Sequence, residues 1–344
     1  MTSNHPLAPD LDAALERVET DLRMLAEGRL FITGGTGFVG AWLLELLAWG
    51  ARRLDLDLRV VALTRSPDAW TRRVPHIAGS GIVTLAEGDV RTFIFPTGEF
   101  ASAVLGAASS DNAWTTAHPA EVVDTIEAGT RRGLEFAEAS GVSRVLLLSS
   151  GAVYGRQPVD LAALPEDHPA RPGSGDAYGM AKRAAESITG QWSGGRHAAV
   201  IARVFSVYGP YQPLHAHFAI GNFIADAVAG RPVTVRGNGL SVRSYLYGAD
   251  LSVALLACLV RGSPSAAYNL GGGEPIRLVD LAALVASLAS PPQAVQVLGQ
   301  PGSVDRYLPD TRRIATELGF SPAVTLVEGV RRTIAWASQR FEGA

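Results

Sequence analysis

The sequence predicts an α/β protein: a doubly wound parallel sheet followed by a smaller mixed α/β lobe. Three observations carry that expectation. Short apolar runs alternate with helical patterns from residue 29 to about residue 205. Each run is nearly continuous in apolar residues, as strands are when helices cover both faces of a parallel sheet. The first run ends in a glycine-rich turn, Thr33-Gly34-Gly35-Thr36-Gly37-Phe38-Val39-Gly40, that opens a helix.

Taken in order, residues 1–8 read as a disordered tail. Residues 10–27 read as an amphipathic helix, because Leu11, Leu15, Val18, Leu22 and Leu25 recur at steps of three and four. It precedes the fold proper and is expected to pack on its outside. Strands are expected at 29–33, 58–64, 82–87, 102–107, 144–149 and 198–204, with helices at 37–49, 119–140 and 177–192. Beyond residue 205 short strands (233–236, 243–247, 268–270, 295–298) mix with helices (218–229, 250–260, 278–288, 326–339). The expected division is a tail and helix at 1–28, a dinucleotide-binding domain at 29–205 and a substrate lobe at 206–344. The loop 151–175, rich in proline and glycine, is long enough to suspect a role at the active site.

The composition suits a large core: 47% of the 344 residues are hydrophobic and 18% charged. A net charge of −3 with scattered basic residues argues against a nucleic-acid partner. The single cysteine, Cys258, excludes an intrachain disulfide, and its apolar surroundings predict a buried, inert thiol. The N-terminus does not read as a signal peptide. No uncharged apolar run nears the ~18 residues of a membrane span; the best attempt, 41–49, carries Glu45. A cytoplasmic location without a membrane partner is expected. His215 and His217 have no clustered partner in the sequence, so no metal is expected.

The glycines at 34, 37 and 40 allow a tight turn and the approach of a pyrophosphate to the helix N-terminus, the Rossmann arrangement. Thr36, Phe38 and Val39 lie in the same turn and count with them as cofactor-binding. The second strand ends Val61-Ala62-Leu63-Thr64-Arg65-Ser66. An acidic residue there favours NAD, whereas an arginine accommodates the 2′-phosphate of NADP. Arg65 therefore points to NADP(H), with NAD(H) left open, since a solvated loop arginine accounts for the residue nearly as well. Asp89 and Val90 follow the third strand within reach of an adenine, although a turn aspartate is an equally good account. Ala107 and Ala108, after the fourth strand, complete the cofactor side.

Tyr178 and Lys182 stand four residues apart and share one helix face. A phenol titrates near ~10 and needs help to exchange protons near neutral pH. A lysine one turn away stabilises the phenolate and reaches the nicotinamide ribose. Ser150, in Leu148-Ser149-Ser150-Gly151-Ala152-Val153-Tyr154-Gly155, places a hydroxyl at the carboxyl edge of the sheet, where doubly wound folds bind ligands.

In this order, the glycine turn, the serine segment and Tyr-x-x-x-Lys resemble the extended short-chain dehydrogenases that act on nucleotide sugars, the NAD-dependent epimerase/dehydratase group. The resemblance covers roughly residues 28–340. It implies a Ser150–Tyr178–Lys182 catalytic set and a nucleotide-sugar substrate. Arg243-Ser244-Tyr245-Leu246-Tyr247 is similar to a family strand whose arginine binds the nucleotide diphosphate. Asp305-Arg306-Tyr307 resembles a second phosphate- or base-side contact through Arg306. Asn222 is placed with the substrate-binding residues. The resemblance also implies two domains that interleave after residue 205, and a homodimer through the helices 119–140 and 177–192, each with an apolar outer stripe.

The departures narrow the chemistry. The family's 4,6-dehydratases carry an Asp–Glu pair where this chain has Gly151 and Ala152, and its decarboxylases keep a glutamate at the second position. Glu166, Asp167 and Asp176 are the loop acids that could substitute. Gly106 and Ile126 stand where many relatives have histidine and asparagine. The leading expectation is NADPH-dependent reduction of a nucleotide-linked 4-keto-6-deoxyhexose. The alternatives are a nucleotide-sugar 4-epimerase with retained NAD and a non-catalytic dinucleotide sensor. Sensors commonly lose the tyrosine or the lysine, and both are present here.

Overall fold

The computed structural model describes residues 5–108, 112–169, 176–214, 216, 218–300, 302 and 304–341. The first half follows the expected alternation. Helix α1 (Ala8–Leu25) precedes β1 (Arg29–Thr33), α2 (Phe38–Arg53), β2 (Arg59–Thr64), the short α3 (Pro67–Arg73) and α4 (Pro75–Ala78), and β3 (Val83–Glu87). Then come β4 (Ser102–Leu105), α5 (Asn112–Ala117), α6 (Pro119–Ala139), β5 (Arg144–Ser150), a 3-10 turn (Gly151–Tyr154), α7 (Ala177–Trp192) and β6 (Ala198–Val204). The second half contains β7 (Val207–Tyr208), α8 (Ala219–Val228), β8 (Val233–Val235), β9 (Val242–Arg243), β10 (Leu246–Tyr247), α9 (Gly248–Arg261) and β11 (Ala267–Leu270). It ends with β12 (Ile276–Arg277), α10 (Leu278–Leu288), β13 (Val295–Val297), β14 (Arg306–Tyr307), α11 (Arg312–Leu318) and α12 (Leu326–Phe341).

The central sheet has seven strands in the order β3-β2-β1-β4-β5-β6-β11, all paired in parallel. Alternate residues feed opposite cores, as the two-residue period of a strand requires. Leu30, Ile32, Leu146 and Leu148 join the core under α1, α2 and α9. Phe31, Val145 and Leu147 join the core under α6 and α7, with Phe136 at its centre. Both faces are dry, which explains the unbroken apolar runs. The chain re-enters this sheet after residue 205, since β11 forms its edge beside β6.

Two expectations change. The strand expected at 243–247 is two strands: β9 pairs with β12 and β14, while β10 pairs with β7. Ser244 and Tyr245 lie between them, so one short segment serves two sheets. Residues 5–8 are not a loose tail. Leu7 is 3% exposed, because it lands on the same core as α1.

Helix α1 is tied to late parts of the chain. Arg17 pairs with Asp250 at 2.6 Å and Arg261 with Asp21 at 2.9 Å. Asp10 accepts from the Tyr247 hydroxyl at 2.8 Å and pairs with Arg332. Cys258 is fully buried, and burial pushes its thiol up, which makes it inert. Among the described residues no helix is long and apolar enough to cross a membrane.

Candidate active site

The glycine turn divides its labour. Gly34 has a left-handed φ of +73°, and a Cβ there would stand 2.5 Å from the carbonyl of Gly106. A Cβ on Gly40 would collide with the backbone of Gly34 and Gly35. These two glycines let the turn close on β4 and on itself. Gly37 differs: its Cβ would meet only the Gly34 oxygen, at 3.5 Å. Gly37 is exposed and caps α2 without a side-chain bond, so the first amides of that helix face open space. That is a cradle for a pyrophosphate, and the residues fit a dinucleotide. Thr33, which the sequence reading passed over, braces it: its hydroxyl accepts from the amides of Gly106 at 3.0 Å and Ala107 at 3.3 Å. Gly106 has no room for a side chain, because a Cβ would lie 2.5 Å from the Leu148 methyl. Ile126 is buried in the core.

Arg65 follows β2 and is exposed. Its charge helps hold the Asp89 carboxyl low, although the bidentate Arg91 is the main cause; Asp89 is pulled down to about 2. Arg91 also pairs with Asp124. Asp89 is thus anchored by Arg91. Val90 is buried against Gly129, and Ala107 and Ala108 stay partly accessible at the sheet edge.

The structure brings Ser150, Tyr178 and Lys182 together at the end of β5. Asp176 caps α7, its carboxylate accepting from the Tyr178 amide at 3.0 Å, so it is occupied as a cap. Burial pushes the Tyr178 phenol up to about 12, while a hydrogen bond with Ser150 opposes the rise. Lys182 is 4% exposed, and burial pushes it down to about 8 against the charge of Glu186. Its ammonium donates to the Leu148 carbonyl at 2.7 Å and sits 5.7 Å from the centre of the Tyr178 ring. The sequence predicts a lysine that lowers the phenol. Here the lysine is held by β5 and burial dominates, so the Tyr178 phenol stays protonated near neutral pH.

Beneath them runs a closed polar network. Ser149 donates to Glu186 at 2.5 Å, and Arg203 grips both oxygens of Glu186 at 2.9 and 2.8 Å. Arg203 also reaches the Tyr154 hydroxyl at 2.7 Å, which donates to Asn269 at 2.8 Å. Glu166 accepts from the Asn269 amide at 2.9 Å. It therefore supports the floor. Asp167 is exposed.

Tyr307 is the residue that sequence reasoning missed at this site. It stands on β14 beside Arg243, yet its hydroxyl also hydrogen-bonds with Ser150. Burial pushes that phenol up. It explains Gly151: a Cβ there would collide with the Tyr307 hydroxyl and come within 2.8 Å of the Phe205 ring. The two rings lie 4.6 Å apart, tilted by 32°. A side chain at position 151 would have to displace Tyr307 and Phe205.

On the substrate side, β9 and β14 lie in register, Arg306 against Val242 and Tyr307 against Arg243. Arg243 pairs with Asp305 at 2.5 Å. The Nε of Arg306 and the Oγ of Ser244 are buried without a hydrogen-bond partner among the described residues. An unpaired buried guanidinium donor suits an anionic ligand. Asn222, on α8, donates to the Ala216 carbonyl at 2.9 Å. His215 and His217 lie outside the described residues.

Residues 30–271 match the pattern of the NAD dependent epimerase/dehydratase family. The chain is 28% identical to a UDP-glucuronic acid decarboxylase 1 of Danio rerio over 325 residues, 91% of this chain and 73% of that protein. It is 28% identical to a dTDP-glucose 4,6-dehydratase of Streptomyces niveus over 324 residues, 90% and 92% of the two chains. A dTDP-glucose 4,6-dehydratase of Streptomyces venezuelae, solved with NAD bound, superposes with a TM-score of 0.76 at 24% identity, covering 92% of this chain and 98% of that one.

Proposed function

The chain belongs to the NAD-dependent epimerase/dehydratase family, and from that premise we propose that it reduces a nucleotide-linked 4-keto-6-deoxyhexose. One observation carries the choice. The position that holds the acid of a dehydratase is Gly151, and Tyr307 and Phe205 fill the space beside it. The relatives named above are decarboxylases and dehydratases, but this chain has Gly151 and Ala152 at the two positions where the resemblance implies their carboxylates. What remains is proton and hydride traffic at a single carbon.

When bound, the nicotinamide supplies the hydride. Tyr178 gives the proton to the carbonyl oxygen, Ser150 and Tyr307 hold that oxygen by hydrogen bonds, and Lys182 carries the positive charge beneath them. Arg243 and Arg306 bind the diphosphate, with Asn222 on the same side. Arg65 extends the reading to NADP(H), a departure from the family's NAD. A 4-epimerase with retained NAD uses the same three residues, and the family's NAD dependence favours it. A cytoplasmic location and the division near residue 205 belong to the same reading. So does a homodimer through α6 and α7. The exposed face of α6 carries Glu121, Asp124, Arg131 and Glu135, and α7 exposes Met180. The apolar stripe expected on α6 is absent from its described surface, so such a dimer would join through polar contacts around Met180.

The test supplies NADPH and NADH in parallel, with nucleotide 4-keto-6-deoxy sugars and nucleotide hexoses as substrates, and identifies products by NMR. Consumption of one NADPH per deoxyhexose formed is expected. Interconversion of hexoses without net cofactor use would replace this reading with the epimerase.

A further inference from the structure

Glu45 lies inside α2 and is fully buried. A buried carboxylate is costly unless a positive partner compensates it. Among the described ion pairs, neither lysine nor arginine meets it. Its partners are His76, with Nε2 2.7 Å from Oε1, and His5, with Nε2 3.8 Å from the same oxygen. The Tyr211 hydroxyl also donates to Oε1. The other oxygen, Oε2, is buried with no hydrogen-bond partner among the described residues. One donor atom from each of His5, Glu45 and His76 lies within 4.8 Å of the others.

We propose that His5, Glu45 and His76 form a zinc site that fastens the N-terminal segment to α2 and α4. The donor set decides the metal. Two imidazoles and one carboxylate suit Zn²⁺, whereas magnesium and calcium prefer oxygen ligands alone. A divalent cation supplies the charge that Glu45 lacks, and Oε2 offers a lone pair that no protein donor uses. Burial pushes His5 down, toward the neutral form that binds metal.

The donors must shift to meet a metal. Zinc ~2.0–2.1 Å from each donor holds tetrahedral donors roughly 3.3 Å apart. The His76–Glu45 hydrogen bond must therefore open by about half an ångström, the His5–Glu45 separation of 3.8 Å must close by about as much, and the donor atoms, now spread over up to 4.8 Å, must draw together. His76 is the group that can give, since it sits on the four-residue α4 with 26% of its side chain exposed. That exposed side also leaves the fourth position to water. Tyr211 orients the carboxylate from outside the ligand set. It does so from a left-handed backbone, φ +72°, a conformation that costs a non-glycine residue ~1–3 kcal/mol and tends to persist where a site requires it.

The test uses the full chain without a histidine tag, stripped of metal by chelation and titrated with zinc chloride. One zinc per chain by mass spectrometry of the elements is expected, with a melting temperature that rises on adding zinc and falls back with EDTA. His76→Ala and His5→Ala should each weaken zinc binding by at least ~10-fold, with circular dichroism confirming that both fold. Zinc binding of the same strength in both variants would place the metal elsewhere and overturn the proposal. A melting temperature that follows pH but ignores zinc would also overturn it, leaving the cluster as a proton-only network.

Discussion

The floor under Ser150 and the strand pair that carries Arg243 and Arg306 are built on opposite plans. On the floor, Ser149, Glu186, Arg203, Tyr154 and Asn269 satisfy one another at 2.5–2.9 Å, and Lys182 donates to the Leu148 carbonyl at 2.7 Å. On the strand pair, Arg306 and Ser244 keep buried polar atoms unpaired, and Arg243 is held by Asp305 alone among acids. A buried donor without an acceptor costs ~1–3 kcal/mol. The floor is thus finished before any ligand arrives, as a preorganised catalytic centre should be. On the proposed function the strand pair is finished by its ligand, so it should govern affinity and leave the chemical step alone.

The largest effect that divides the two regions is expected from Tyr178→Phe. Losing the proton donor should depress turnover by roughly 10²–10⁴-fold while KM for the nucleotide sugar changes little. Steady-state kinetics check this, and near-normal turnover would remove the floor from the chemistry. Next comes Arg306→Ala, where the loss of a charged hydrogen bond should raise KM by ~10–100-fold with kcat nearly constant. Since it deletes an unpaired buried group, thermal stability should hold or rise; a normal KM with lowered stability would make Arg306 a structural residue.

Gly151→Ala should destabilise the fold by ~1–3 kcal/mol through overpacking, read by urea denaturation, and adding Tyr307→Phe should recover part of it. A neutral substitution would show that Tyr307 yields, and with it the argument against an acid at this position. The smallest effect concerns pH. Lys182, pushed down to about 8 by burial, is charged below that pH and neutral above it. Tyr178, pushed up to about 12 by burial, stays protonated throughout. Turnover at low substrate should therefore fall as pH rises through about 8. A limb near 10 or above in the pH–rate profile would assign the titration to the phenol.

What the sequence made legible follows from local physics. The strands from Arg29 to Val204 announce themselves because both faces are buried, and the glycine turn because Gly34 and Gly40 have no room for a Cβ. Tyr178 and Lys182 show their pairing because a helix fixes it within one turn. Tyr307 could not be placed beside Ser150, since nothing in the spacing tells a strand of the second lobe which residue it will face. The one available signal was the glycine at 151, whose small size implied a neighbour without naming it. The strand expected at 243–247 failed similarly: no proline or glycine interrupts it, and only the competing partners β7, β12 and β14 split it. His5, Glu45 and His76 come from three separate elements, and no sequence pattern joins them.

The attachments of α1 have a consequence for how the protein is made. Its apolar stripe covers α9 as well as α2, and its charged groups await Tyr247, Asp250, Arg261 and Arg332. During translation α1 leaves the ribosome long before any of these exist. At ~5–20 residues per second, the interval is on the order of ten to fifty seconds. For that time one flank of the helix has only solvent, or a chaperone, to lie against. The segment that locks the finished protein is thus the one that the nascent chain must shelter longest.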